Sequence, residues 1–247
     1  MRLDAALVAR GLARSRKQAA ELIAAGSVTI DGRPARKASE AVTDASALAA
    51  ASDRYVSRAA HKLLGVLDET RTPLAGRALD AGASTGGFTQ VLLERGCTPV
   101  YAVDVGHGQL AASVRSDPRV VVRERLNLRD LTLADLDDEP VDVVVADVSF
   151  ISLTMLVAPL LGVLHPDGVA LLMVKPQFEV GRAGLDAHGV VTDPALRARA
   201  VDGVVAAAAS LGWGCDWRGE TTLPGTGGNR EFFVRLRRGA AIVGGAR

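Results

Sequence analysis

Arg77-Ala78-Leu79-Asp80-Ala81-Gly82-Ala83-Ser84-Thr85-Gly86-Gly87-Phe88 decides how the chain is read. Its apolar first half suits a short buried strand of a parallel α/β sheet. Gly82, Gly86 and Gly87 then let the backbone turn sharply and approach a ligand with no Cβ in the way. A helix from about Gly87 through Arg95 follows, with its free N–H groups aimed at whatever occupies the turn.

Spacing narrows the ligand class. A dinucleotide fingerprint puts glycines first, third and sixth. Here those places hold Gly82, Ser84 and Gly87, so the glycine that admits a pyrophosphate is missing. The Lys-Ser/Thr ending of a Walker loop is absent as well. A nucleoside without a diphosphate tolerates Ser84 better, and S-adenosylmethionine is the commonest such cofactor. Asp104 ends the next apolar run, Val100-Tyr101-Ala102-Val103, where an acid takes ribose hydroxyls. A βα turn that binds nothing is the competing reading.

The 247 residues are 48% hydrophobic, which supplies a sizeable core and counts against disorder. Cys97 and Cys215 have no paired spacing, so neither a disulfide framework nor a metal site is expected. The composition fits a reducing cytoplasm. Arg10, Arg14, Arg16 and Lys17 come too early for a secretory apolar core. Val148 to Leu164 is uncharged but contains Pro159, and it falls short of the ~20 residues of a spanning helix. A strand end and a buried helix are expected there, and no membrane partner.

The net charge of +1 hides an asymmetry. Residues 1–37 carry eight lysines and arginines against three acids, while the remainder carries 21 against 25. A basic head on a slightly acidic body suggests a docking module beside a catalytic one. In the head, helical spacing over residues 3–11 ends at Gly11, and Ser15 with Gln18 opens a second helix that stops at Gly26. Val28-Thr29-Ile30 and Asp31-Gly32 then read as a strand and a tight turn. Arg2, Arg14, Arg16, Lys17, Arg33 and Lys37 are the candidate phosphate contacts. The alternative is a set of solvated surface charges. Arg2-Leu3-Asp4, Gly11-Leu12-Ala13-Arg14-Ser15-Arg16 and Gly26-Ser27-Val28-Thr29-Ile30-Asp31-Gly32 resemble the alpha-L RNA-binding motif over about residues 1–50.

Beyond an Ala/Ser/Thr-rich connector, helical spacing runs from Tyr55 to Thr70 and carries Lys62. After Asp104 the pattern predicts a helix near Gln109–Arg115, a strand at 120–122, and Asn127 in the loop beyond. A strand over 141–146 ends at Asp147, a helix fills 151–164, and a strand over 168–174 ends at Lys175. Asp193 caps a helix to Leu211, and two strands close the chain at 213–221 and 231–237. The expected class is α/β: a Rossmann-like doubly wound sheet with a small N-terminal α+β domain.

Asp104, Asp147 and Lys175 fall at strand ends, which converge on one crevice in such folds. Asp147 and Lys175 are either a buried salt bridge or a working pair. Methyl transfer from a sulfonium to a ribose 2′-hydroxyl needs the oxygen aligned and its proton removed. A lysine serves once burial and a neighbouring cation favour its neutral form. Lys175 is the candidate base, Lys62 the neighbouring cation, and Asp147 and Glu231 the groups that orient both amines. Attack on a ring carbon calls for a cysteine, and neither cysteine is at a catalytic strand end. Base-amino methylation usually shows an Asn/Asp-Pro-Pro-aromatic stretch where this chain has Asp147-Val148-Ser149-Phe150.

Tyr55-Val56-Ser57-Arg58-Ala59-Ala60-His61-Lys62-Leu63, the glycine turn, Asp147-Val148-Ser149-Phe150-Ile151-Ser152-Leu153, Val174-Lys175-Pro176-Gln177-Phe178-Glu179 and Gly228-Asn229-Arg230-Glu231-Phe232 resemble the TlyA family. That family is similar to the FtsJ ribose methyltransferases with an alpha-L domain in front. The resemblance implies a Lys62-Asp147-Lys175-Glu231 tetrad and an S-adenosylmethionine pocket of Gly82, Ala83, Ser84, Thr85, Gly87, Asp104 and Asn127. It implies cytidine 2′-O-methylation of ribosomal RNA in the small or large subunit, or both. The domains expected are 1–53, a linker at 54–57, and 58–247. Arg54-Tyr55-Val56-Ser57 departs from the Arg-x-Trp-Val linker of some members, and His107 stands where relatives often have Tyr. The rival functions are a non-catalytic RNA-binding assembly protein and a membrane-active haemolysin, a name attached to the family.

Overall fold

Leu3, Leu7, Ile23, Val28 and Ile30 are buried together in one core cluster, which among the described residues runs from Leu3 to Ala50. In the computed structural model, which describes residues 1–13, 15–24, 26–50 and 54–240, this core belongs to the first of two compact units, Met1–Arg54 and Tyr55–Arg247. The first unit holds α1 (Leu3–Ala9), α2 (Arg16–Ala24), β1 (Val28–Ile30), β2 (Arg33–Pro34) and β3 (Leu48–Ala50), with β1 antiparallel to both other strands. The expected punctuation is present. Ser15 Oγ accepts from the Gln18 N–H at 3.2 Å, and the β1–β2 turn is made by Asp31 and Gly32, both at positive φ.

The second unit runs α3 (Ala59–Thr70), β4 (Gly76–Ala81), α4 (Gly87–Glu94), β5 (Cys97–Asp104), α5 (Ala112–Arg115), β6 (Val120–Glu124), β7 (Val141–Ala146), α6 (Val157–Gly162), β8 (Leu164–Val174), α7 (Pro176–Glu179), α8 (Pro194–Ala209), β9 (Trp213–Glu220) and β10 (Phe232–Arg238). Its seven strands lie in the order β6-β5-β4-β7-β8-β10-β9. Pairing is parallel from β6 through β8, and only β10 runs against its neighbours. Apolar residues of α3 and α4, such as Leu63, Leu67, Val91 and Leu92, pack on one face. Leu160 of α6 and Val201, Val204 and Ala208 of α8 pack on the other. Strand order reverses between β4 and β7, and a crevice opens outside the carboxyl ends of strands at such a point.

Three elements depart from the sequence reading. The helix near Gln109–Arg115 is only the single turn of α5. The helix expected over 151–164 is a 3-10 turn at Leu153–Met155 followed by α6. Starting at Val157 puts Pro159 in the first helical turn, where its missing N–H costs nothing. Strand β8 begins at Leu164 but slips register before Val169, so its regular pairing starts next to the expected Gly168. A β-bulge at Asp216 also turns Trp213 and Trp217 to opposite faces of the sheet. Of the expected linker, Tyr55 donates to Glu94 at 2.7 Å and the Val56 N–H to Gln90 at 2.6 Å, which holds that stretch on α4.

Candidate active site

The glycine turn sits where β4 meets β7. Gly82 has φ +85, and a Cβ there would lie 2.8 Å from the Asp147 carbonyl oxygen, so no side chain fits between the two strand ends. Gly86 takes φ +95 against Leu110 and Val114, and Ser84 adopts φ +47 without being glycine. That strained conformation aims the Ser84 N–H at Asp104 Oδ2, 2.8 Å away, while Asp104 Oδ1 accepts from the Gly106 N–H at 2.7 Å. Gly82, Ser84, Asp104 and Asn127 line a cavity of about 780 Å³ with Val105, Phe150, Met155 and Leu156 among its apolar walls. Ala83 and Thr85 belong to the turn and Gly87 opens α4, and none of the three is among the residues that line this cavity. Asn127 Oδ1 caps the following 3-10 turn by accepting from Arg129 at 3.1 Å.

Topology places the ionisable groups. Phe232 of β10 is paired with Val174 of β8, so Glu231 and Lys175 are each one residue beyond that pair. Lys175 Nζ lies 2.6 Å from Asp147 Oδ1 and donates to Ser149 Oγ at 2.8 Å. Lys62 Nζ, from α3, donates to Glu231 Oε2 at 2.5 Å. Both lysine side chains are 11% exposed, against 18% for Asp147 and 4% for Glu231. Such burial is rare for amines and carboxylates unless they are paired. The four predicted residues thus form two ion pairs at one edge of the sheet.

Several neighbours escaped the sequence reading. Phe150 is 92% exposed at φ +65, and its ring centroid is 5.4 Å from that of Phe178. Phe232 packs on the core. Glu179 accepts from Ser152 Oγ and the Leu153 N–H, each at 2.6 Å, and so ties the loop after Phe150 to α7. Asn229 bridges the Val191 N–H and the Gly189 carbonyl, both at 3.0 Å. Asp80 is buried under the turn, accepting from Thr89 Oγ1 at 2.6 Å while its Oδ1 has no partner among the described residues. Burial pushes the Asp80 carboxyl up to about 7; the Thr89 hydrogen bond pulls the other way and the charge of Asp147 adds to the rise. His107 is exposed, with Nδ1 2.9 Å from Glu124.

A family model for the FtsJ-like methyltransferase matches residues 55–238, and one for the S4 domain matches residues 1–46. The 16S/23S rRNA (cytidine-2′-O)-methyltransferase TlyA of Mycobacterium tuberculosis is 54% identical over 240 residues, covering 96% of this chain and 89% of that relative. This chain belongs to the TlyA family of FtsJ-like methyltransferases. The TlyA likeness extends to Hemolysin A of Brachyspira hyodysenteriae, 34% identical over 96% of this chain and 99% of that protein. The solved structure of a candidate hemolysin from Streptococcus thermophilus superposes with a TM-score of 0.77 at 33% identity, covering 98% of this chain and 90% of that one. No helix among the described residues is long and apolar enough to cross a membrane. Nor do those residues contain a His/Cys/Asp/Glu group that could hold a metal ion.

The S4 unit divides the predicted basic residues. Lys17 and Lys37 are exposed. Arg33 lies 3.4 Å from Glu40, which also accepts from the Lys37 N–H at 2.9 Å. Arg2 and Arg16 are both held by Asp4. Arg14 lies outside the described residues.

Proposed function

We propose that this chain is an S-adenosylmethionine-dependent methyltransferase acting on the 2′-hydroxyl of cytidine in ribosomal RNA, of the small subunit, the large subunit or both. The observation that carries the reading is the pairing of Lys175 with Asp147 and of Lys62 with Glu231 at the carboxyl edge of a methyltransferase sheet. The name of the 54% identical relative supports the substrate class. In this reading residues 1–53 hold the RNA, 54–57 connect, and 58–247 carry the chemistry, in the cytoplasm where ribosomal RNA is met.

The cavity suits the cofactor. Gly82 lets the two strand ends close together beside it, and in this reading Asp104 takes the ribose hydroxyls while Asn127, Val105, Met155 and Leu156 are left for the base. Bound there, S-adenosylmethionine supplies a methyl group already activated on sulfonium. The protein's task is then alignment and proton removal. Lys175, as the neutral amine, takes the hydroxyl proton and becomes an ammonium facing Asp147, which with Ser149 fixes its direction. Lys62, steadied by Glu231, supplies positive charge toward the oxygen as its negative charge grows. Phe150 offers the face of an exposed ring on which an unstacked base can rest.

The test is to incubate the protein with S-adenosylmethionine and isolated ribosomal subunits, digest the RNA and analyse its nucleosides by mass spectrometry. A rise in 2′-O-methylcytidine is expected. Methylation on a base, or none in either subunit, would overturn the proposal.

A further inference from the structure

The S4 unit contains an electrostatic oddity. Two of its predicted phosphate contacts, Arg2 and Arg16, are bonded to a buried carboxylate. Asp4 is 7% exposed in its side chain, while the Arg2 and Arg16 side chains above it are 53% and 62% exposed. Arg2 donates from Nε and Nη2 to the two Asp4 oxygens at 3.1 and 3.2 Å. Arg16 donates from Nε and Nη2 to Oδ2 at 3.2 and 2.9 Å. The Ala5 N–H adds a fifth bond to Oδ1 at 2.9 Å. These contacts hold the carboxyl well below the usual range, the Arg2 hydrogen bonds contributing most and those of Arg16 next. Placing an acid inside an anion-binding patch weakens the patch by simple Coulomb reckoning, so its placement needs a reason.

Geometry gives one. A guanidinium is planar, with five N–H groups in a fixed fork. With the Nε–Nη2 edge of each arginine committed to Asp4, the Nη1 side is turned away from the carboxylate. We propose that Asp4 is a positioning residue, which clamps Arg2 and Arg16 as a preset pair of forks for one stretch of RNA backbone. The clamp reaches from the start of α1 to the start of α2, so it fixes both arginines relative to one another. Without it, each long side chain must be ordered at the moment of binding, and that cost subtracts from affinity. The inference rests on the reading of this unit as an RNA holder.

The two accounts of Asp4 predict opposite signs. Asp4→Asn removes one negative charge while keeping an oxygen that can accept a hydrogen bond. If Asp4 only ties α1 to α2, the more positive variant binds RNA as tightly as the parent or tighter. If it positions the arginines, binding of the full-length chain to isolated ribosomal subunits weakens about tenfold, the cost of re-ordering two long side chains, with the melting curve unchanged. Should Asp4→Asn melt the S4 unit, Arg16→Lys serves instead, since it keeps the charge but not the fork. That variant is expected to bind several-fold more weakly at unchanged melting temperature, and Arg16→Lys with unaltered affinity would overturn the inference. So would Asp4→Asn binding equal to or tighter than the parent. A parent chain that fails to bind subunits at all would sink the RNA reading itself, and this inference with it.

Discussion

Two groups of cation–carboxylate pairs, one in each unit, are built the opposite way round. In the S4 unit the acid is buried and the two arginines stand out into solvent. At the sheet edge the amines are buried along with their acids. An exposed fork on a fixed base suits a polyanion that arrives from outside. A sunken amine held by an acid suits chemistry on a single atom brought to it, where charge acts in a water-poor setting. The same residue types thus separate into holding and reacting by which partner is hidden.

Substitutions can break that comparison. The largest effect on stability is expected from Lys62→Met, which strands the Glu231 carboxylate under Gly225 in a site that is 3% exposed. Removing one partner of a buried pair costs about 3 kcal/mol, readable as a lower urea midpoint. Arg2→Met, by contrast, is expected to leave the urea midpoint unmoved, because its head is in water and Arg16 still satisfies Asp4. If the two variants melt alike, the distinction between the two regions fails.

A second substitution sharpens it. Phe150→Ala removes the exposed ring at the rim of the cavity without opening a core. It is expected to raise KM for ribosomal subunits about tenfold, the worth of one base stacked on an aromatic ring, with cofactor affinity unchanged by isothermal titration. An unchanged KM would leave Phe150 outside the substrate site.

A third check is a pH dependence. The Asp80 carboxyl, raised to about 7 by burial, keeps its proton in the folded chain through a range where an unfolded aspartate, at ~4, has lost it. The folded state therefore binds more protons between those values, so stability falls as pH rises through that window and levels off above about 7. The melting temperature of the parent is expected to drop from pH 5 to pH 8. Asp80→Asn, which still offers Thr89 an acceptor, should flatten that slope, and an undiminished slope would assign it to other groups.

Much of this was legible in the sequence, for identifiable reasons. The glycine turn, Asp104, Asp147 and Lys175 lie where apolar runs stop, and in a parallel sheet those stops share an edge. Lys62 and Glu231 were harder, since one comes from a helix before the first sheet strand and the other from the strand that runs backwards. What stayed hidden depends on backbone angles or on pairing across elements. Nothing in the composition around Phe150 announces a positive φ. The Asp4 clamp joins residues that belong to two helices and look, in sequence, like separate surface charges. Apolar spacing alone extends the helix over 151–164, whereas Pro159 falls in the first turn of α6 and the helix starts at Val157.

The central claim is that a lysine at the end of β8 removes the proton from the acceptor hydroxyl. Its most direct test is single-turnover methyl transfer to ribosomal subunits by Lys175→Ala, with cofactor binding measured on the same preparation. The account predicts a fall of about a thousandfold in transfer, within the range for losing a positioned base, and cofactor affinity close to that of the parent. Transfer at the parental rate by Lys175→Ala would contradict it.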